Sequence, residues 1–163
     1  MRRKDREKDF DFALKVIDEA PYGVAAFTDM EGNPYAIQLS LVRIGDHLYF
    51  HSAKEGTKND IIKQNPQVCV AFAANVIPAK SSFTTSYESA VVKGCVSEII
   101  DDEEKIGALR ALSVRFCPDN MDKFDRAIEM SLQRTAIYKI TMEEVTAKAK
   151  HVSEKNRILK CFT

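Results

Sequence analysis

Tyr49-Phe50-His51-Ser52-Ala53-Lys54-Glu55-Gly56-Thr57-Lys58 is the stretch on which the fold turns. Its first residues continue from Leu48 as an apolar strand ending at His51, and the residues from Ser52 to Lys58 are too polar and too glycine-broken to extend that strand. Thr57 is expected to cap a short helix carrying Ile61 and Ile62, with Asp60 placed as in a capping box and Pro66 ending the element. Strand end, loop and helix start in immediate succession leave free backbone N–H groups and the positive end of a helix dipole facing out of the loop. The hydroxyls of Ser52 and Thr57 and the Lys58 ammonium add further donors, so the segment reads as a phosphate cradle. An ordinary capped helix with a solvated lysine fits the same spacing.

Toward the N-terminus, Leu39 and Leu41 continue an alternation begun by Tyr35 and Ile37, which predicts a strand with one apolar face. Gly45-Asp46 turns the chain into the Leu48–His51 strand, and Asp29 to Pro34 supplies the turn of a hairpin whose first arm is Tyr22–Thr28. His47 reads as a surface turn residue. Phe10, Leu14 and Ile17, widened by Ala13 and Val16, predict one opening helix that Pro21 stops.

Toward the C-terminus, Val68–Ala73 predicts a buried strand. After a Ser- and Thr-rich stretch containing Pro78, Tyr87–Ile100 predicts a long strand broken at Gly94, as a bent barrel strand would be. Asp101 with Glu104 caps a helix carrying Ile106, Leu109, Leu112 and Phe116, and a second helix starts near Asp119 with Met121, Phe124 and Ile128 on one face. Thr135–Met142 is a strand, and Val145–Lys150 resumes the sheet after a break at Glu143-Glu144. Hairpins first and helices bunched later argue for an α+β protein around an antiparallel barrel. A doubly wound sheet would require regular strand–helix alternation and would favour a glycine-rich dinucleotide fingerprint, which is absent.

The 163 residues fit one domain, spanning 1–163. Lys plus Arg and Asp plus Glu number 24 each, so no overall field draws the chain to nucleic acid or to an anionic membrane. The basic start Arg2-Arg3-Lys4 runs directly into an amphipathic helix, with no apolar stretch suited to a signal peptide or a membrane span. Cys69, Cys95, Cys117 and Cys161 form no C-x-x-C pair and have no histidine at zinc spacing, so they read as reduced cytoplasmic thiols, with Cys69 and Cys95 buried as small hydrophobes. His47 and His51 lack a third ligand, and no metal site is expected.

The run Tyr49–Lys58 followed by Asn65-Pro66-Gln67-Val68 resembles the pyridoxamine 5′-phosphate oxidase-related flavoproteins, especially their nitroimidazole-resistance branch. Arg2-Arg3-Lys4-Asp5-Arg6, Gly32-Asn33-Pro34-Tyr35, Tyr87 to Gly94 and Arg134 to Ile140 extend the resemblance along nearly the whole chain. It implies a six-stranded FMN-binding split barrel, working as a homodimer with FMN at the subunit interface. By the same resemblance His51, Ser52, Ala53, Thr57 and Lys58 hold phosphate or ribityl groups, and Gln38, Leu39 and Ser40 follow the isoalloxazine edge. Tyr87 and Ser89 approach the flavin, with the neighbouring subunit's site as one option, although a barrel-facing pair would look the same in sequence. Two departures stand out: Gln38 where many members have proline, and Thr146-Ala147-Lys148 in place of Thr-Gly-Lys.

FMN carries redox chemistry itself, so the absence of a protein nucleophile is expected. The leading expectation is a cytoplasmic reductase passing electrons to a small aromatic or nitro-type acceptor. The alternative is a non-catalytic flavin- or haem-binding carrier or sensor, with His51 and His151 as axial candidates. Pyridoxamine phosphate itself is disfavoured as substrate, because the family's C-terminal Trp and Arg pattern is missing and the chain has no tryptophan.

Overall fold

Period-two burial marks two of the strands: in Gly23–Thr28 the residues Gly23, Ala25 and Phe27 point inward, and in Gln67–Ala79 Val68, Val70, Phe72 and Ala74 do the same. The computed structural model describes residues 2–152, Ser81 excepted. A 3-10 turn (Lys4–Arg6) and a two-residue strand β1 (Glu7–Lys8) lead into α1 (Phe10–Glu19). Then come β2 (Gly23–Thr28), β3 (Pro34–Leu39), β4 (Val42–Ile44), β5 (His47–Ala53), α2 (Thr57–Gln64), β6 (Gln67–Ala79) and β7 (Thr84–Glu98). Helix α3 (Asp102–Phe116), a 3-10 turn (Pro118–Lys123), α4 (Phe124–Ser131), a short 3-10 turn and β8 (Thr135–Lys150) complete the described chain.

All strand pairs are antiparallel, in the order β3-β2-β6-β7-β8-β5-β4, with β1 pairing the far end of β8. Six strands are long and two, β1 and β4, are short, as the expected six-stranded barrel requires. The two ends of the order, β3 and β4, are consecutive in the chain and joined by Ser40 and Leu41, so the sheet curls back on itself. Leu48, Phe50, Val70, Val92 and Ile140 fill the inside, and Ala13, Val16 and Ile17 of α1 join them. Outside, α3 lays Ala108 and Leu112 on Val42, Tyr49, Ile99 and Ile137, forming a second apolar layer. Arg115 donates from the last turn of α3 to the carbonyls of Ile17 (3.1 Å) and Ala20 (2.7 Å), tying that layer to the end of α1.

Gly94 marks the bend as expected, for the sheet register slips between Lys93 and Gly94 and a Cβ there would collide with the Thr141 carbonyl oxygen. The break expected at Glu143-Glu144 is instead the other side of this bulge. Lys93 faces Glu144 and Gly94 faces Met142, so Glu143 is the extra residue and β8 runs unbroken. The stretch after Ala73 is also strand, interrupted by a bulge where Asn75 takes φ 51°. Met121 belongs to the 3-10 turn, and α4 starts only at Phe124. Phe10 is half-exposed and the buried stripe of α1 is Ala13, Val16 and Ile17.

Candidate functional site

Strand β5 runs past the short β4 and delivers its last residues to the start of α2. It extends through Ser52 and Ala53, residues whose polar setting predicts a loop, because both pair with Ala136 and Thr135 of β8. The N-cap of α2 is Gly56, not Thr57. Gly56 adopts φ 126°, a conformation open to glycine, and no side chain caps the helix, so neither Thr57 nor Asp60 forms the expected capping box. A Cβ built on Gly56 meets nothing within 4 Å, so the space before the helix is clear.

Lys58, in the first turn, is half-buried with Nζ 5.3 Å from the Phe50 ring centroid. Among the described residues burial alone acts on its ammonium, pulling it below the ordinary lysine range. The turn is fixed from below by Asn59, fully buried, which donates to the Ala53 carbonyl at 2.7 Å and accepts from the Ser52 hydroxyl at 3.3 Å. Asn59 gives no signal in the sequence, because a polar residue in a first helical turn is ordinary there; only its zero exposure marks it.

Strand alternation sends Ser52 and His51 to opposite faces of β5. His51 points outward, into a cleft of about 470 Å3 between β5 and the α3–α4 layer, where Ser40 joins it. Desolvation, and secondly the Lys58 charge, hold its imidazole below the usual histidine range. Two residues earlier on the same face, Tyr49 donates to Glu104 Oε1 at 3.1 Å, and Lys139 donates to the same oxygen at 2.9 Å. Burial, then this hydrogen bond, pushes the phenol up to about 12. Glu104 thus anchors α3 to the barrel while its backbone N–H is capped by Asp101 at 2.8 Å.

Gln38 and Ser40 are exposed and Leu39 is buried in the barrel core. Because β3 ends the strand order, one edge of this stretch has no strand partner among the described residues. Tyr87 and Ser89 lie elsewhere. They pair with Lys150 and Lys148 near the end of β8, whereas His51 pairs with Ile137 near its start, so one chain does not bring them to the cradle. Arg6 Nη1 donates to the Tyr87 hydroxyl at 3.5 Å, the Lys148 ammonium lies 5.8 Å from the Tyr87 ring centroid, and the Ser89 hydroxyl donates to the Lys148 carbonyl.

Gln38 shares the outer sheet face with Tyr87 and Ser89 but lies three strands away: Gln38 faces Val24, Val24 faces Ala71 and Ala71 faces Val91. That face is paved with exposed small residues, Ala26, Ala36, Ala71 and Ala73, around a hollow of about 550 Å3 bordered by Tyr22, Asn75 and Val76. Cys69 and Cys95 sit on it half-exposed rather than buried; Cys117 is exposed, and Cys161 lies outside the described residues. His47 is not a turn residue: it opens β5, half-buried, with a buried Nδ1 that has no hydrogen-bond partner among the described residues. His151 lies 3.5 Å from Glu88, at the opposite end of β8 from His51, so the two imidazoles form no pair within one chain. Among the described residues no cluster of three or more His, Cys, Asp or Glu is placed to hold a metal, and no helix is long and apolar enough to cross a membrane.

A family model described as pyridoxamine 5′-phosphate oxidase matches residues 11–149. Among solved structures, a candidate 5-nitroimidazole antibiotic resistance protein from Bacteroides thetaiotaomicron shares 28% identity, with a TM-score of 0.74 over 87% of this chain and 84% of its own. A flavocytochrome from Azotobacter vinelandii superposes with a TM-score of 0.78 at 18% identity, over 98% of this chain and 78% of its own. An FAD- and haem-binding protein from Mycobacterium smegmatis gives 0.76 at 21% identity, over 95% and 80%. No curated protein matches the chain.

Proposed function

Because the chain belongs to the pyridoxamine 5′-phosphate oxidase family, we propose that it is an FMN-dependent oxidoreductase, acting as a homodimer on a small aromatic or nitro-type electron acceptor. The observation that carries this reading is the open start of α2. Among the described residues its first N–H groups have no side-chain cap and the half-buried Lys58 ammonium has no carboxylate partner, and clear space lies before Gly56. A doubly charged phosphate would give each of these groups a partner. The donor set therefore fits FMN, with Thr57 and Lys58 on the phosphate, Ser52 and Ala53 beside it, and His51 at the boundary with the outer cleft.

When bound, FMN supplies the electron transfer. The chain's own part is to bind and orient: the unpartnered edge at Gln38, Leu39 and Ser40 offers backbone groups to the ring. A second copy of the chain packed on the alanine-paved face would bury apolar surface that is otherwise wet and would bring Tyr87 and Ser89 toward a neighbour's flavin. The Bacteroides relative, by its description, supports a nitro-type acceptor. We place the protein in the cytoplasm, where its thiols stay reduced.

The test is the visible spectrum of the protein as purified, then FMN titration, then oxidation of the reduced, loaded protein by a panel of nitroaromatics and quinones. Flavin uptake followed by electron transfer is expected, and transfer to none of them would end the reductase reading. The haem-carrier reading, favoured by the exposed His51 imidazole and the haem-binding relative, requires a Soret band on haem addition that His51→Ala abolishes.

A further inference from the structure

Among the described residues the buried polar side chains are Asn59 and Glu88, and of these Asn59 lies at the start of α2. The orientation of its amide is forced. The Ala53 carbonyl, 2.7 Å away, can only accept, so the amide nitrogen faces it and the amide oxygen is turned to Ser52. Ser52 Oγ lies 3.3 Å from that oxygen, and of the two only the hydroxyl carries a proton. Ser52 therefore donates to Asn59. Turning the proton elsewhere would strand a fully buried amide oxygen that has no other donor among the described residues. What Ser52 has left to offer is its lone pairs. The residue is only half-buried, so the hydroxyl is not sealed beneath the turn. The sequence counts Ser52 with Thr57 and Lys58 as a donor, and the packing of Asn59 reverses that role.

We propose that Asn59 is a positioning residue that fixes Ser52 as an acceptor, so that Ser52 takes a hydroxyl of the ligand's polyol chain and the phosphate falls to the α2 N–H groups and Lys58. A phosphate oxygen set against Ser52 would meet lone pairs with lone pairs, whereas a ligand hydroxyl brings the proton that Ser52 lacks. The two ends of the bound chain are then held by different chemistry. Open N–H groups and an ammonium take the anion, and an oriented neutral oxygen takes the polyol. In naming that polyol as the ribityl chain the inference rests on the flavin reading; the proton direction at Ser52 does not.

The experiment is fluorescence titration of the full chain with FMN and with riboflavin, which keeps the ribityl chain and lacks the phosphate. Ser52→Ala is expected to weaken both flavins by the same factor, roughly three- to tenfold, and so to leave the preference for FMN unchanged. Asn59→Leu replaces the amide with an apolar side chain of similar shape and frees the Ser52 proton. It is expected to weaken riboflavin comparably in the parent background, and by no more than about twofold once Ser52 is alanine, because the two residues act as one unit. A role in folding alone would instead add its loss to that of Ser52→Ala. Should Asn59→Leu misfold, the ratio of the two affinities in Ser52→Ala still decides the direction of the proton. Loss of FMN affinity alone in Ser52→Ala would make Ser52 a phosphate donor and overturn the inference with the flavin reading intact, as would no change for either flavin. Additive losses in the double variant overturn the part given to Asn59. A parent that binds riboflavin as tightly as FMN would sink the phosphate reading of α2, while a riboflavin loss in Ser52→Ala would still sustain the acceptor. A parent that binds neither flavin ends both.

Discussion

Helices α2 and α3 both start just after a strand of the barrel, yet they start differently. Asp101 holds extended backbone and its carboxylate accepts from Glu104 N–H, while the Glu104 side chain turns away to Tyr49 and Lys139. Helix α1 is closed in the same way by Asp9, which accepts from Phe12 N–H at 2.9 Å. Helix α2 has a glycine at φ 126° where α1 and α3 have aspartate, and its first turn carries one acid, Asp60, beside the half-buried Lys58, where α3 has three acidic residues. An acid in the first turn stabilises a helix and a cation there works against the dipole. The start of α2 therefore gives up local stability, and an anionic ligand is the group that would restore it.

The largest expected effect tests that reading directly. Lys58→Ala removes a charged hydrogen bond from the phosphate and is expected to weaken FMN binding by about 1.5–3 kcal/mol, roughly 10- to 150-fold. Fluorescence titration checks it, and unchanged affinity would put the phosphate elsewhere. Next comes Gly56→Ala. With nothing within 4 Å of the added Cβ, its whole cost is backbone conformation, about 1–3 kcal/mol in chemical denaturation. A neutral result would mean that the loop relaxes freely and the open cap is not held. On the other side of the comparison, Asp101→Ala and Asp9→Ala are each expected to cost about 1 kcal/mol of stability. FMN affinity should not move in either, and a parallel loss would erase the distinction between the two kinds of helix start.

The contrast also marks how far the sequence can be read. Asp101 followed by Glu104 announces its cap directly, and Gly94 announces its bulge, because in each case the residue's own chemistry sets the local backbone. At α2 the sequence locates the helix start but not its cap, since Thr57 and Gly56 are both acceptable caps and only φ decides between them. Tertiary pairing overrides local polarity at Ser52, Ala53 and His47, where β8 supplies the hydrogen bonds that a loop reading denies. Asn59 and the α3–α4 cleft are invisible in the sequence for another reason. Burial of an amide and space between helices are properties of packing, and neither leaves a period in the chain.

The smallest expected effect has the most particular sign. Lys58 is lowered from 10.5 by burial in the ligand-free chain, so its charged form costs the folded state something that the unfolded state avoids. Below the lowered value both states are protonated and the cost is fully present. As pH rises from there toward 10.5 the folded state sheds its proton first and the cost is relieved, so this lysine's contribution to stability improves with pH across that window. Because the group is half exposed, solvent screening keeps the effect to a fraction of a kcal/mol. Lys58→Met is therefore expected to melt slightly higher than the parent at neutral pH, with the gap narrowing toward about pH 10, while the same substitution abolishes the gain in melting temperature that FMN confers on the parent. Asp101→Ala should show neither behaviour. A gap that widened with pH would mean that Lys58 already has an anionic partner within the chain, and the start of α2 would then be as closed as that of α3.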